Sequence, residues 1–319
     1  MAETRVGISC WRYASWRGKF YPPKLPQNRE LNFAAHCVNS VEINGSFYSL
    51  QRPNAYRQWY DNSPSDFLFS VKGSRFITHM KQLKNIEEAQ ANFWASGILR
   101  LEEKLGPILW QLPPNFSFDR DALDRFFDGL PRSTAEAAKI GRRHSAFMKH
   151  RCWLEIGKNR KLRHAIEIRH ESFVTEEFVR LLREQRVALV VADTAKRWPY
   201  MEDLTTDFVY ARLHGDTELY ASGYAGKALD RWAHRLQQWR DGSAPKDAHT
   251  HAPRARLLKR RDIYVYFDND AKVHAPFNAM DLAGRLGIAR DYEEIKKNAI
   301  LSGRLKQRRD VRRSPWPRA

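Results

Sequence analysis

Four acids, three permanent cations and one histidine stand at or just past the ends of short apolar runs in this 319-residue chain. They are Glu42, Glu167, Asp193 and Asp268, then Lys72, Arg169 and Arg212, and His214. Residue types of this kind suit three chemistries. Glu42 and Glu167 could act as an acid/base pair on a sugar-like substrate. His214, the side chain that titrates near neutral pH, would relay a proton, and Asp268 completes the catalytic set. Arg169, Arg212 and Lys72 could clamp a phosphate or carboxylate, because guanidinium forks match such groups. His79, His170 and His214 could join the acids in an oxygen/nitrogen site for Mn²⁺ or Mg²⁺. The near balance of acids and cations argues against a dense divalent-metal site, and no residue is assigned as a metal ligand. The competing reading is an ion-pair network that fixes the fold, since burying unpaired charge is costly.

Other reactive types are sparse. Cys10 directly follows the first apolar run; a thiol there could react, but a small buried filler is the commoner role. The chain has no phosphate-binding glycine loop, no G-x-S-x-G and no H-E-x-x-H. Trp11, Trp16, Tyr48 and Tyr220 could stack on a sugar or a base, or simply pack.

The elements that must position these groups are eight β-like runs: Val6–Ser9, Ser40–Ile43, Phe67–Lys72, Ile108–Gln111, His164–Ile168, Ala188–Ala192, Phe208–Leu213 and Ile263–Phe267. Helix signals lie between most of them. Pro53 suits a helix N1 position before Ala55–Tyr60. Asn85 and Glu88 form a capping-box pattern, and Gly106-Pro107 reads as the stop of that helix. Asp119 and Thr175 precede further amphipathic stretches, and Glu30–Val38, Ala228–Trp239 and Pro276–Leu286 complete the set. Only Arg197–Leu204 hardly reads as a helix. Eight strand–helix alternations predict an α/β fold of the (β/α)₈ TIM-barrel class. An open doubly wound sheet is disfavoured because Gly7-Ile-Ser-Cys-Trp-Arg lacks the dinucleotide fingerprint. Period-two alternation then turns Glu42, Asn44, Ser70, Lys72, Glu167, Arg169, Tyr210, Arg212, His214, Tyr264, Tyr266 and Asp268 inward, with Gln111 and Asp193 added from the fourth and sixth strands. In such barrels the strand C-terminal ends carry the site.

The formal charge is +18, and it is uneven. Residues 132–164 carry +8, residues 246–261 +5 and residues 296–319 +8. These segments are solvated surface or a footprint for nucleic acid. The expected organisation is one barrel over residues 1–290, with insertions at about 132–163 and 240–261, and a basic C-terminal extension over 291–319 whose Pro-rich end does not fold. No apolar run approaches the ~20 residues of a membrane span. Three scattered cysteines and no leader-like N-terminus point to the cytoplasm.

Several stretches resemble, in order, the barrel family called domain of unknown function 72, or YecE-like proteins. They include Gly7-Ile-Ser-Cys-Trp11-Arg-Tyr13-Ala-Ser-Trp16, Val41-Glu42-Ile43-Asn44-Gly-Ser-Phe47-Tyr48, Phe69-Ser-Val71-Lys72 and Thr78-His79. Gln111-Leu-Pro-Pro, Glu167-Ile-Arg169-His170-Glu-Ser172, Tyr210-Ala-Arg212-Leu-His214-Gly215 and Tyr264-Val-Tyr266-Phe-Asp268-Asn269-Asp270 follow. The resemblance implies a TIM barrel and leaves the activity open. Cys10 stands where that family commonly has glycine, and Ser243–Arg260 looks inserted. Trp11, Asn44, Lys72, His79, Gln111, Arg169, His170, Asp193, Arg212, Asn269 and Asp270 are expected to bind substrate. The favoured expectation is an enzyme of hydrolase, lyase or isomerase type on a small polar or anionic substrate, with no cofactor identified. The alternatives are a nucleic-acid-associated or nuclease-like barrel and a non-catalytic ligand-binding barrel.

Overall fold

Eight parallel strands close on themselves in chain order in the computed structural model, which describes residues 2–254 and 258–311, with side chains to Leu301. They are β1 (Thr4–Ser9), β2 (Ser40–Ile43), β3 (Leu68–Lys72), β4 (Leu105–Gln111), β5 (His164–Glu167), β6 (Ala188–Asp193), β7 (Phe208–Leu213) and β8 (Asp262–Phe267). β1 pairs β8 from Thr4↔Ile263 to Ile8↔Phe267, which closes the ring. This is the expected (β/α)₈ barrel.

Alternation along the strands builds two apolar layers. Val41, Ile43, Phe69, Val71, Ile166, Val209, Ala211, Leu213, Ile263, Val265 and Phe267 join the outer core. A separate cluster fills the barrel: Leu68, Leu109, Ala165, Ala188, Val190, Ala192, Phe208, Tyr210, Tyr264 and Tyr266. Burying a large apolar side chain fully contributes roughly 1.5–3 kcal/mol, so this plug makes the interior a core and restricts open space to its ends. Tyr266 places its hydroxyl 2.7 Å from both Ser40 Oγ and Ser70 Oγ, so these buried hydroxyls satisfy one another.

The helix starts read from Asp119 and Thr175 are real caps: each side chain accepts from the backbone N–H three residues on. The third unit departs from expectation. Its helix is Glu87–Ala95, capped at Ile86 rather than Asn85, and a 3₁₀ segment Ile98–Lys104 follows. Gly97 breaks it at φ 105°, where a Cβ would stand 2.5 Å from Pro53 Cα. Gly106-Pro107 therefore lies inside β4 and stops no helix. No helix separates β6 from β7.

Acids anchor two of the three basic segments. In the first, Arg160 pairs with Glu103, and Lys161 and Arg163 pair with Asp207 and Asp262 at the strand starts. In the second, Glu202 accepts from the His249 N–H, and Asp203 from those of His251 and Ala252. A helix, Tyr292–Val311, follows the barrel; Tyr292 stacks on Phe20 and donates to its carbonyl. The Pro-rich end from Ser314 lies outside the described residues.

Candidate functional site at the strand ends

Arg212 at the end of β7 organises this end of the barrel. Its Nε donates to Glu42 Oε2 at 3.1 Å and its Nη2 to Glu42 Oε1 at 2.9 Å. Nη2 also reaches Asp268 Oδ2 at 2.7 Å, and Nη1 reaches Glu167 Oε2 at 2.6 Å. The guanidinium is wholly buried. The three carboxylates hold its proton far beyond the ordinary arginine range, outweighing a burial that opposes it.

The acids are equally committed. Glu42 accepts four hydrogen bonds, two from Arg212 and one each from Ser9 Oγ (2.9 Å) and the Tyr210 hydroxyl (2.6 Å). Glu167 accepts from Gln111 Nε2 (2.6 Å) and Arg169 Nε (3.1 Å) as well as Arg212. Burial alone would raise the Glu167 pKa, but Arg212 and Arg169 hold it well below the usual carboxylate range. Asp268 resists its burial in the same way and sits at about 2, through Arg212 first and then His214. His214 Nε2 lies 3.3 Å from Arg212 Nη1. Nδ1 lies 3.1 Å from Asp268 Oδ2.

This geometry bears on two expected roles. Arg212 has no free face for a substrate anion, because every donor nitrogen already meets a carboxylate. Glu42 and Glu167 are counter-ions of Arg212, and at neutral pH Glu167 holds no proton to donate.

Around this saturated centre lie groups with open valences. Lys72 ends β3, is 7% exposed, and sets its ammonium 4.3 Å from the centre of the Phe47 ring. No carboxylate among the described residues stands within ion-pairing distance of it. Burial, then the charge of Arg212, lowers its pKa to about 8 despite Glu167, Glu42 and Asp268. His79 makes a T-shaped contact with the same Phe47 ring, centroids 5.0 Å apart, and Thr78 Oγ1 lies 2.9 Å from its Nδ1. Burial and the cations Lys72 and Arg169 push it down to about 4, so it is neutral at pH 7. Asp270 is pushed well above the carboxylate range, by burial first and then by the charge of Asp268. Asp270 Oδ1 and Asn44 Oδ1 are both buried without a hydrogen-bond partner. Arg169 lays its guanidinium 3.7 Å over Trp198 and donates to the Tyr220 hydroxyl.

The remaining expected residues lie elsewhere. Asp193 faces out of the barrel, because β6 turns Val190 and Ala192 inward. It lines a cavity of about 470 Å³ with Tyr200, Trp232 and Trp198, the indole that also meets Arg169. Asn269, between the inward Asp268 and Asp270, faces out and donates to Ser222 O and Asn278 Oδ1. His170 caps the short turn Glu171–Phe173 by accepting from the Ser172 N–H. Trp11 is buried edge-on against Trp59, and Trp16 is fully buried. Cys10 adopts φ 69°, a conformation glycine takes without strain, which accounts for the glycine expected there. Burial raises its thiol pKa, so it holds no ready thiolate. Among the described residues, no three His, Cys, Asp or Glu side chains group to hold a metal ion, and no helix is long and apolar enough to cross a membrane.

Comparison with known proteins agrees with this architecture. Residues 5–299 match the family model described as "Protein of unknown function DUF72". A UPF0759 protein YecE from Escherichia coli (strain K12) is 27% identical over 127 residues, which is 40% of this chain and 44% of that protein. A UPF0759 protein YunF from Bacillus subtilis (strain 168) is 25% identical over 121 residues, 36% of this chain and 42% of that protein. The chain thus matches under half the length of these curated relatives. A crystal structure of a DUF72 family protein from Thermotoga maritima MSB8 superposes with a TM-score of 0.66 at 24% identity, covering 89% of this chain and 99% of that one. One from Enterococcus faecalis V583 gives 0.64 at 17% identity, covering 90% and 97%. At these identities the structural likeness speaks for the fold alone.

Proposed function

The chain belongs to the DUF72 family, and from its strand-end chemistry we propose that it is an enzyme acting on a small polar or anionic molecule at the barrel mouth. One observation carries this reading. Asp270 and Asn44 keep buried oxygens without hydrogen-bond partners, and Lys72 an ammonium with no carboxylate partner among the described residues, beside a network in which every nitrogen of Arg212 meets a carboxylate. Buried polar atoms without partners cost stability, on the order of 1–3 kcal/mol each. Lys72 near 8 and the raised Asp270 also bring an amine and a neutral acid into the working range of acid/base chemistry. Arg169, with Tyr220 and Trp198 around it, is the cation at the mouth suited to a substrate anion.

The nucleic-acid alternative rests on the basic segments, yet Lys161 and Arg163 are engaged by acids at the strand starts, the end opposite the mouth. The test is a thermal-shift screen with carboxylates, sugar phosphates, carbonyl compounds and short oligonucleotides at two salt concentrations. A small molecule that binds only the folded state, at a hundred times its Kd, stabilises by about 2.7 kcal/mol. The reading expects a saturable, salt-tolerant shift lost in Lys72→Met and Arg169→Ala. A shift confined to oligonucleotides and erased by salt would overturn it.

A further inference from the structure

We propose that Lys72 is a covalent catalyst, its Nζ forming an imine with the carbonyl group of a small aldehyde or keto acid bound at the barrel mouth. This deepens the preceding reading and rests on it. Lysine normally keeps its ammonium in water or against a carboxylate. Lys72 does neither: it is almost buried at a strand end, and its ammonium contacts the Phe47 ring instead of an acid. The three carboxylates that could have paired with it, Glu42, Glu167 and Asp268, are drawn to Arg212. A desolvated ammonium in the field of a second cation, here Arg212, is poised to give up its proton, the condition for an amine nucleophile. The lowered pKa of about 8 is the consequence.

The step balances without any oxidant or reductant. The unprotonated Nζ adds its lone pair to the carbonyl carbon, the carbonyl π electrons move to oxygen, and one proton passes from the nitrogen to that oxygen. The resulting carbinolamine loses that hydroxyl, with a further proton, as water. A C=N iminium remains. Its positive charge draws electrons from the adjacent carbon, which is what lyase and isomerase chemistry requires. Asp270, kept protonated by burial and by Asp268, is the neutral acid at this end of the barrel. Asn44 Oδ1, buried without a partner just past the end of β2, is an open acceptor for a substrate hydroxyl.

The test is reductive trapping on the intact protein. Glyoxylate, pyruvate and glycolaldehyde are each incubated with it at pH 7 with sodium cyanoborohydride, and the lysine-containing peptides are weighed by mass spectrometry. A lysine titrating near 8 has roughly two hundred times the free-amine fraction of an ordinary lysine at that pH. At least tenfold faster adduct formation on Lys72 than on any other lysine, and its loss in Lys72→Arg, is the expected result. Comparison among lysines in the unmutated protein keeps the test decisive should the variant not fold. Even labelling across the surface lysines, with Lys72 unmodified, overturns the imine. If a small molecule from the thermal-shift panel still binds, only the covalent step falls. If neither binding nor trapping is seen, the reading of the mouth falls with it.

Discussion

Arg212 meets Glu42 side-on through two nitrogens, Nε to Oε2 and Nη2 to Oε1, with both side chains wholly buried. A pair of this kind is most costly when only one half is removed, because the other charge stays desolvated. Arg212→Met should therefore destabilise the protein by about 3–5 kcal/mol, measured by urea denaturation. Arg212→Lys should recover little, since a point charge cannot meet Glu42, Glu167 and Asp268 at once. A loss below 1 kcal/mol for Arg212→Met would refute the claim that this guanidinium neutralises the barrel end.

Acid stability should depend on His164, at the start of β5. Its Nδ1 accepts from the Trp110 indole (3.1 Å) and its Nε2 donates to the Pro131 carbonyl (2.7 Å), so a second ring proton would face an N–H donor. Burial holds its pKa down to about 3. The unfolded chain takes up this proton below ~6.5 and the folded chain does not. Stability must therefore fall as pH drops from about 6.5 towards 3, by up to about 1.4 kcal/mol per pH unit from this group. Denaturation midpoints from pH 7 to 4 should slope less steeply in His164→Gln. An unchanged slope would show that another group controls acid unfolding.

Asp268 and Asp270 should titrate as neighbours. The charge of Asp268 raises Asp270, so Asp268→Asn should lower the Asp270 pKa, read from carbon-13 shifts of labelled aspartate. The same change removes one of the carboxylates that favour protonated Lys72, so Lys72 should fall below about 8. Movement of either group in the opposite direction would contradict the assigned couplings.

These groups differ in how far they were legible from the residues alone. Strands with clear alternation placed Glu42, Lys72, Glu167, Arg212 and Asp268 together, because one apolar face per strand fixes the parity of the other. Ala188–Ala192 is apolar on both faces, one towards the helices and one into the barrel, so it carries no parity; Asp193 was expected inward and faces out. Asn269 lies a single residue off the inward register. Ser9, Phe47 and Trp198 were not singled out as site residues. Ser9 alternates with Gly7 and could have been found by extending the parity of β1, whereas Phe47 and Trp198 sit in loops with no periodic signal. That Lys72 lacks a carboxylate partner is unreadable from spacing, because it depends on which acids Arg212 reaches across the closed barrel.

The free amine of Lys72 should also declare itself without any ligand. Its rate of modification by a dilute amine-reactive reagent should rise with pH to a midpoint near 8, while surface lysines continue to rise towards ~10.4. Peptide mapping across pH 6–11 separates the two. A Lys72 midpoint above 10 would mean that a carboxylate partners it in solution.

The most direct measurement of the mouth as the functional site is this labelling repeated with a small molecule that raises the melting temperature. Occupancy of the strand ends should slow modification of Lys72 at least tenfold and leave Lys139, Lys149, Lys158 and Lys161 of the first basic segment unchanged. Protection of those four lysines, with Lys72 labelled at its free rate, would contradict the account and move the binding surface to the basic segments.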